Sequence, residues 1–143
     1  MGELCDMDGE SLLRLLSVGA VTSRQVTEAS IERIEALNPA LTAFVSVCFD
    51  AALASAKLAD RYRRAGCDLG LLAGLPVAVK DLNDVAGLPT TFGSPLYADN
   101  TATADDDVVA SMRSSSGVII GKTNVPEHGF GATTTNPLFG SSR

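Results

Sequence analysis

Between residues 71 and 104 the chain carries only four charged side chains, Lys80, Asp81, Asp84 and Asp99, set among glycine, proline and aliphatic residues. A stretch this poor in charge, with short apolar runs between turn residues, has to be buried strand and ordered loop inside a layer that other elements cover. Five of the six prolines fall between Pro76 and Pro137, whereas the residues before 71 follow helical spacing. The sequence thus divides into a mainly helical part, 1–70, and a second part, 71–143, of strands, loops and one helix, with no internal repeat and no linker between domains. Helix followed promptly by apolar strand defines an α/β layer.

Ser11 to Leu16 form a short apolar turn that stops near Gly19 and reads as a docking helix. Thr22 with Gln25 three residues on makes a capping box, and Val21 with Val26 a hydrophobic staple. The helix they open runs through Ala29, Ile34 and Leu37 and is expected to end at Asn38-Pro39, because proline drives its predecessor into extended geometry. Residues 41–47 are rich in β-formers and predict a strand. Asp50 is the expected cap of the next helix, whose apolar face would carry Ala54, Leu58, Tyr62 and Ala65 and whose stop would be Gly66. Pro76 to Lys80 read as a buried strand, Asp105 or Asp106 as the cap of a helix through Val108, Val109 and Met112 ending at Gly117, and Val118 to Ile120 as a further buried strand. From Gly121 to Arg143 periodicity is lost, so this segment would be disordered unless something larger held it.

Composition excludes several functions. Eleven Lys+Arg against seventeen Asp+Glu give a net charge of −6, which repels nucleic acid. No run of residues reaches the roughly 18 apolar positions of a membrane-crossing helix. The first residues carry acids where a signal peptide needs Lys or Arg, so the expected location is the cytoplasm. Cys5, Cys48 and Cys67 are odd in number and widely spaced, which fits reduced structural thiols rather than a disulfide framework or zinc ribbon. With His128 the only histidine, a multi-histidine metal site has no donors, and neither a metal nor a cofactor is expected. Aromatics make up only 5% of the residues although 45% are hydrophobic, leaving much aliphatic surface and few large rings to organise it.

Two lysines attract a chemical reading. Residues 116–123, ending in Gly121-Lys122-Thr123, nearly match a phosphate-binding loop but lack its first glycine, and the loop itself is an apolar strand with Val125-Pro126 where a helix should start. A chance match is the better account. Lys80 closes a buried aliphatic strand, where desolvation disfavours its charge. Either its stem packs on Val77 or Leu82 while the ammonium reaches water, Asp81 or Asp84, or it works partly neutral as a base toward a hydroxyl nucleophile. Spacing alone does not choose between the two. Asp105-Asp106-Asp107 reads as a helix start rather than a metal site.

Four blocks in order carry a resemblance: Gly74-Leu75-Pro76-Val77-Ala78-Val79-Lys80-Asp81, Gly87-Leu88-Pro89-Thr90-Thr91-Phe92-Gly93-Ser94, Gly117-Val118-Ile119-Ile120-Gly121-Lys122-Thr123-Asn124, and Asn136-Pro137-Leu138-Phe139-Gly140. Together with Asn38 to Phe44 they resemble the opening of the amidase signature family. The resemblance implies a mixed β-sheet covered by helices on both faces, of which this chain would be an incomplete N-terminal portion. It also implies amide hydrolysis by a Ser-cisSer-Lys triad, in which Lys80 matches the lysine. The family's serines lie in a Gly/Ser-rich block beyond the Asn-Pro-Leu-Phe-Gly segment, so the chain is expected to be inactive alone, and Ser114 to Ser116 and Ser141-Ser142 are not substitutes. Asp81, Lys122, Thr123, Asn124 and Asn136 would organise the site or touch substrate, with a simple hydrogen-bonded turn as the other account of Lys122 and Asn124. Thr123-Asn124-Val125-Pro126-Glu127 looks more like general amidases than like the protein that converts Glu-tRNA to Gln-tRNA. The partner expected in a full-length form is a small-molecule amide. The alternatives are a non-catalytic α/β binding module derived from an amidase and a subunit-A-like part of a Glu-tRNA amidotransferase, and in each case the strand edges would be open to self-association.

Overall fold

The computed structural model describes residues 2–143. A 3₁₀ turn, Gly2–Asp6, leads into α1 (Gly9–Ser17) and α2 (Ser23–Leu41), followed by β1 (Phe44–Val47), α3 (Phe49–Arg64), β2 (Pro76–Lys80), α4 (Asp107–Ser114) and β3 (Val118–Thr123). A hairpin of β4 (Thr135–Asn136) and β5 (Gly140–Ser141) closes the chain.

The sheet has the order β1-β3-β2, with β1 antiparallel and β2 parallel to the central β3. Residues of β3 alternate between the two faces, as a strand requires. Val118 and Ile120 pack with Ala52 and Ala56 of α3 and with Ile34 of α2. Ile119 packs on the opposite side with Val79, Val85 and Val109, the last from α4. Helices therefore cover both faces of a mixed sheet, the α/β arrangement expected. A third cluster, Leu12, Leu16 and Val26, docks α1 on α2.

Local signals in the sequence are well realised at the start of α2. Thr22 Oγ1 accepts the Gln25 N–H at 3.1 Å and Gln25 Oε1 accepts the Thr22 N–H at 2.9 Å, a complete capping box. Val21 packs in the same cluster as Val26, as the staple predicts. The two amides that this box leaves orphaned, those of Ser23 and Arg24, donate to the buried Asp60 carboxylate of α3 at 2.7 and 3.1 Å.

Several expectations are corrected. α2 does not stop at Asn38-Pro39 but runs to Leu41 with Pro39 inside it. Proline there removes one N–H from the last turn, and Asn38 holds that turn instead. Its carbonyl accepts the Thr42 N–H at 2.8 Å, while its side chain both accepts from Phe44 N–H at 2.7 Å and donates to Phe44 O at 2.9 Å. The strand expected over 41–47 is accordingly shortened to Phe44–Val47. Asp50 does not cap α3: the capping position is Cys48, without a side-chain bond, and Asp50 sits in the first turn, where the helix dipole favours an acid. The buried stripe of α3 is Ala52, Ala56, Ala59 and Asp60, and the face of Ala54, Leu58, Tyr62 and Ala65 is turned to solvent. Small alanines let α3 approach the sheet closely, which the larger Leu58 and Tyr62 would prevent.

Residues 121–143, without periodicity in sequence, are held against the rest of the chain by hydrogen bonds. The Asn124 N–H donates to Ala43 O at 2.8 Å, Ser142 Oγ to Thr42 O at 2.7 Å and Arg143 N–H to Leu41 O at 3.0 Å, tying the closing hairpin to the end of α2. No helix among the described residues is long and apolar enough to cross a membrane.

Candidate active site and family

The candidate site forms where β2 and β3 run side by side to their C-terminal ends. In register Val79 faces Lys122 and Lys80 faces Thr123, and the Asp81 N–H continues the ladder onto Thr123 O at 3.0 Å. Parallel pairing places consecutive residues of the two strands at one level, so Lys80, Asp81, Lys122 and Thr123 are assembled by the sheet itself.

The two lysines lie in opposite environments. Lys80 is exposed, in line with the reading in which its ammonium reaches water, and of the strand expected to be buried only Val79 is fully so. β2 is an edge strand, and its alternation turns Val79 into the cluster on the α4 side while Ala78 and Lys80 project from the opposite face, where nothing among the described residues covers them. Lys122, 0% exposed, is the buried one. Its ammonium lies 2.8 Å from Asp81 Oδ1 and donates to Pro89 O at 2.7 Å and Thr90 Oγ1 at 2.6 Å, so all three of its protons are engaged. Such a lysine has no donor left for a phosphate, and the phosphate-loop likeness of this segment is a coincidence of spacing.

Asp81, 1% exposed, is saturated from its other side. Thr91 donates its N–H to both carboxylate oxygens at 3.2 Å and its hydroxyl to Oδ2 at 2.5 Å, and the same hydroxyl accepts the Gly93 N–H at 3.1 Å. Sequence reasoning misses Thr90 and Thr91 as site residues. The signal for them lies in the doublet itself: adjacent hydroxyls in a charge-poor segment imply buried hydrogen-bonding partners. Ser94, also buried, leaves its hydroxyl without a partner among the described residues.

A second group gathers beyond the end of β3. Asn136 Nδ2 donates to Asn124 Oδ1 at 2.6 Å and to Val125 O at 2.8 Å, and Asn136 Oδ1 accepts the Leu138 and Phe139 amides at 3.0 and 2.8 Å. Asn124 Nδ2 donates to Ser142 Oγ at 3.1 Å. Asn124 and Asn136 thus meet, as a pair that folds the chain back, while Thr123 enters through its backbone. His128 and Phe92 both adopt positive φ, 53° each, and the His128 N–H donates to Phe92 O at 2.7 Å, locking two strained loops together beside the site.

Charge near α4 is also arranged by burial. Burial pushes the Asp105 carboxyl up, but the Ala86 N–H at 2.8 Å and the Arg113 guanidinium at 2.7 Å outweigh it and hold the group below the usual carboxylate range. Burial raises the Cys48 thiol, against the smaller opposing pull of Arg113, and its Sγ donates to Ile119 O at 3.3 Å. That is the chemistry of a structural thiol.

Comparison with known proteins agrees with this architecture. The sequence model of the family described as Amidase matches residues 25–143. The chain belongs to the amidase family, whose members with solved structures include amidase signature enzymes. It is 41% identical over 120 residues to an acylamidase from Rhodococcus erythropolis, a match covering 84% of this chain and 25% of that protein. It is 38% identical over 143 residues to a glutamyl-tRNA(Gln) amidotransferase subunit of Acidothermus cellulolyticus, covering 100% of this chain and 28% of that protein. The crystal structure of a bacterial aryl acylamidase of the amidase signature family superposes with a TM-score of 0.88 at 30% identity, over 96% of this chain and 29% of that one. The chain therefore spans little more than a quarter of the length of these relatives.

Proposed function

We propose that this chain is the N-terminal part of an amidase that hydrolyses a carboxylic amide, and that Lys80 is the terminal base of its proton relay. The observation that carries the reading is the position of Lys80: it ends a parallel strand pair, anchored by its neighbour Asp81, with its own side chain exposed at the edge of the sheet. In the complete enzyme the remaining fold would close over that edge and desolvate the ammonium, lowering the cost of the neutral form. A serine then attacks the amide carbonyl as its proton passes through a second serine to neutral Lys80. The lysine returns that proton to the leaving amine, and water hydrolyses the acyl-enzyme by the same relay in reverse. Both serines belong to the Gly/Ser-rich block that the family resemblance places after Asn136 to Gly140.

A chimera tests the proposal: residues 1–143 replace the corresponding segment of the Rhodococcus acylamidase, and release of nitroaniline from an acyl nitroanilide is followed. Turnover is expected, and Lys80→Ala is expected to reduce kcat by about 10²–10⁴-fold, the range of a lost general base. Undiminished turnover in that variant removes Lys80 from the base role. The match to the Acidothermus amidotransferase, which runs the whole length of the chain, favours a second reading, a part of a glutamyl-tRNA(Gln) amidotransferase. That reading prevails if the segment supports transamidation of glutamyl-tRNA when placed in the Acidothermus protein and gives no anilide turnover in the acylamidase.

A further inference from the structure

Lys122 and Asp81 form an ion pair inside the protein, with every ammonium proton and both carboxylate oxygens engaged. Burying two charges gains little stability, because desolvation consumes most of the attraction, and apolar residues of similar volume commonly serve a core as well or better. What such a pair does supply is geometry, since its hydrogen bonds admit only one arrangement of the groups around it. Here those groups are the ends of two strands and one loop. Asp81 directly follows Lys80, and Lys122 lies in the neighbouring strand one residue before the Lys80 partner Thr123. Their other contacts, Pro89 O, Thr90 Oγ1 and the Thr91 amide and hydroxyl, all belong to the segment 89–94. That segment also reaches the Asn124–Asn136 pair: a Cβ on Gly93 would stand 2.9 Å from Val125 O and 3.1 Å from Asn136 Cβ.

We propose that the Asp81–Lys122 pair is a positioning device that fixes the backbone of Lys80 and clamps the 89–94 loop across the ends of β2 and β3. Its catalytic consequence rests on the reading of Lys80 as the base. Neither residue contacts substrate in this account; both act through the backbone of their neighbours. Replacing both charges together, Asp81→Leu with Lys122→Met, leaves no orphaned charge, and because Thr90, Thr91 and Pro89 O lose hydrogen-bond partners, a urea midpoint recorded alongside separates positioning from stability.

Two measurements decide it. Hydrogen exchange on the 143-residue chain is expected to show protection of residues 89–94 falling by about tenfold or more in the double variant while the helices α2 and α3 stay protected. Unchanged protection of 89–94 overturns the clamp. Thr90→Val and Thr91→Val keep both charges and remove one hydroxyl each; they are expected to loosen the same loop to a lesser extent, and a loop unaffected by either also overturns it. In the acylamidase chimera the double variant is expected to lower kcat by about tenfold or more with KM held within about twofold, since geometry at the base is lost and binding is not. An unchanged kcat overturns the catalytic role. A chimera inactive with the native pair overturns the amidase reading and the catalytic role with it, while the exchange measurement still decides the clamp.

Discussion

A carboxylate in the middle of a helix faces water by default, yet Asp60 is buried and receives the Ser23 and Arg24 amides together with the Arg63 guanidinium at 3.0 Å. Arg63 is fixed in turn by Ser23 Oγ and by the carbonyl of Ala73. The start of α2, the last turn of α3 and the approach to β2 thus share one carboxylate. Asp60→Asn keeps the volume but offers an NH₂ where an acceptor is needed, and leaves Arg63 without its charge partner. The expected loss is about 1–3 kcal/mol, read as a lower urea midpoint at unchanged m-value. The spacing around Asp60 shows only the Arg63 three residues on, and the burial is not marked, because the two amides that the carboxylate accepts lie 36 and 37 residues away. Thr22, Gln25, Val21 and Val26 are legible for the opposite reason: each meets its partner within one or two helical turns. The same contrast separates the two lysines. That β2 ends in Lys80 is local information, but which lysine is buried depends on β3 being central and β2 lying at the edge, and strand order is not written in either strand.

At the scale of elements, β3 tolerates its neighbours only because of Gly121. The register of both neighbours shifts around this point, with Ile119 and Gly121 facing successive residues of β2. Gly121 has φ of 158°, and a Cβ there would come within 2.4 Å of Ser46 O. Gly121→Ala is expected to displace β1 and cost at least about 1–3 kcal/mol, the range of an overpacked site; Ser46 and Val47 amides would then exchange faster than those of β2. The carboxylate at the start of α4 gives a pH-dependent prediction. Asp105 has a folded pKa below its unfolded value, so its contribution is fully present above the ordinary carboxylate pKa, near 3.9, and is lost as pH falls through the lower folded value. Asp105→Asn is therefore expected to lower the urea midpoint at pH 7 and to differ progressively less from the parent as pH drops below about 4. The expected cap at 105 or 106 is right in place and incomplete in chemistry. Asp106 occupies the capping position, but its carboxylate accepts from Asn83 Nδ2 at 3.2 Å and the Asp84 N–H at 2.9 Å, donors 23 and 22 residues away in a loop after β2.

For the whole molecule, surface area is the informative quantity. The chain exposes 7841 Å² for a mass of 14.8 kDa, whereas a monomeric protein of that mass exposes about 7,000 Å². The excess is close to what one partner buries in an interface of ordinary size, about 800 Å². Its location agrees: Leu58 and Tyr62 on the outer face of α3 are 43% and 48% exposed, Phe130 is 85% exposed, and β1 and β2 both end the sheet without a further strand among the described residues. Composition foreshadows this surplus of aliphatic surface, but its placement follows only from the alanine stripe that turns α3 the other way. In the amidase reading the rest of the fold covers these surfaces. The 143 residues alone are then expected to associate at micromolar concentration, detected as a concentration-dependent weight-average mass in sedimentation equilibrium. Leu58→Lys with Tyr62→Lys removes the apolar face without touching a buried residue, and is expected to shift the mass toward the monomer with little change in urea midpoint. If association persists unchanged in that double variant, the strand edges carry it, and a lysine introduced at Val47 on β1 becomes the substitution that disperses the chain.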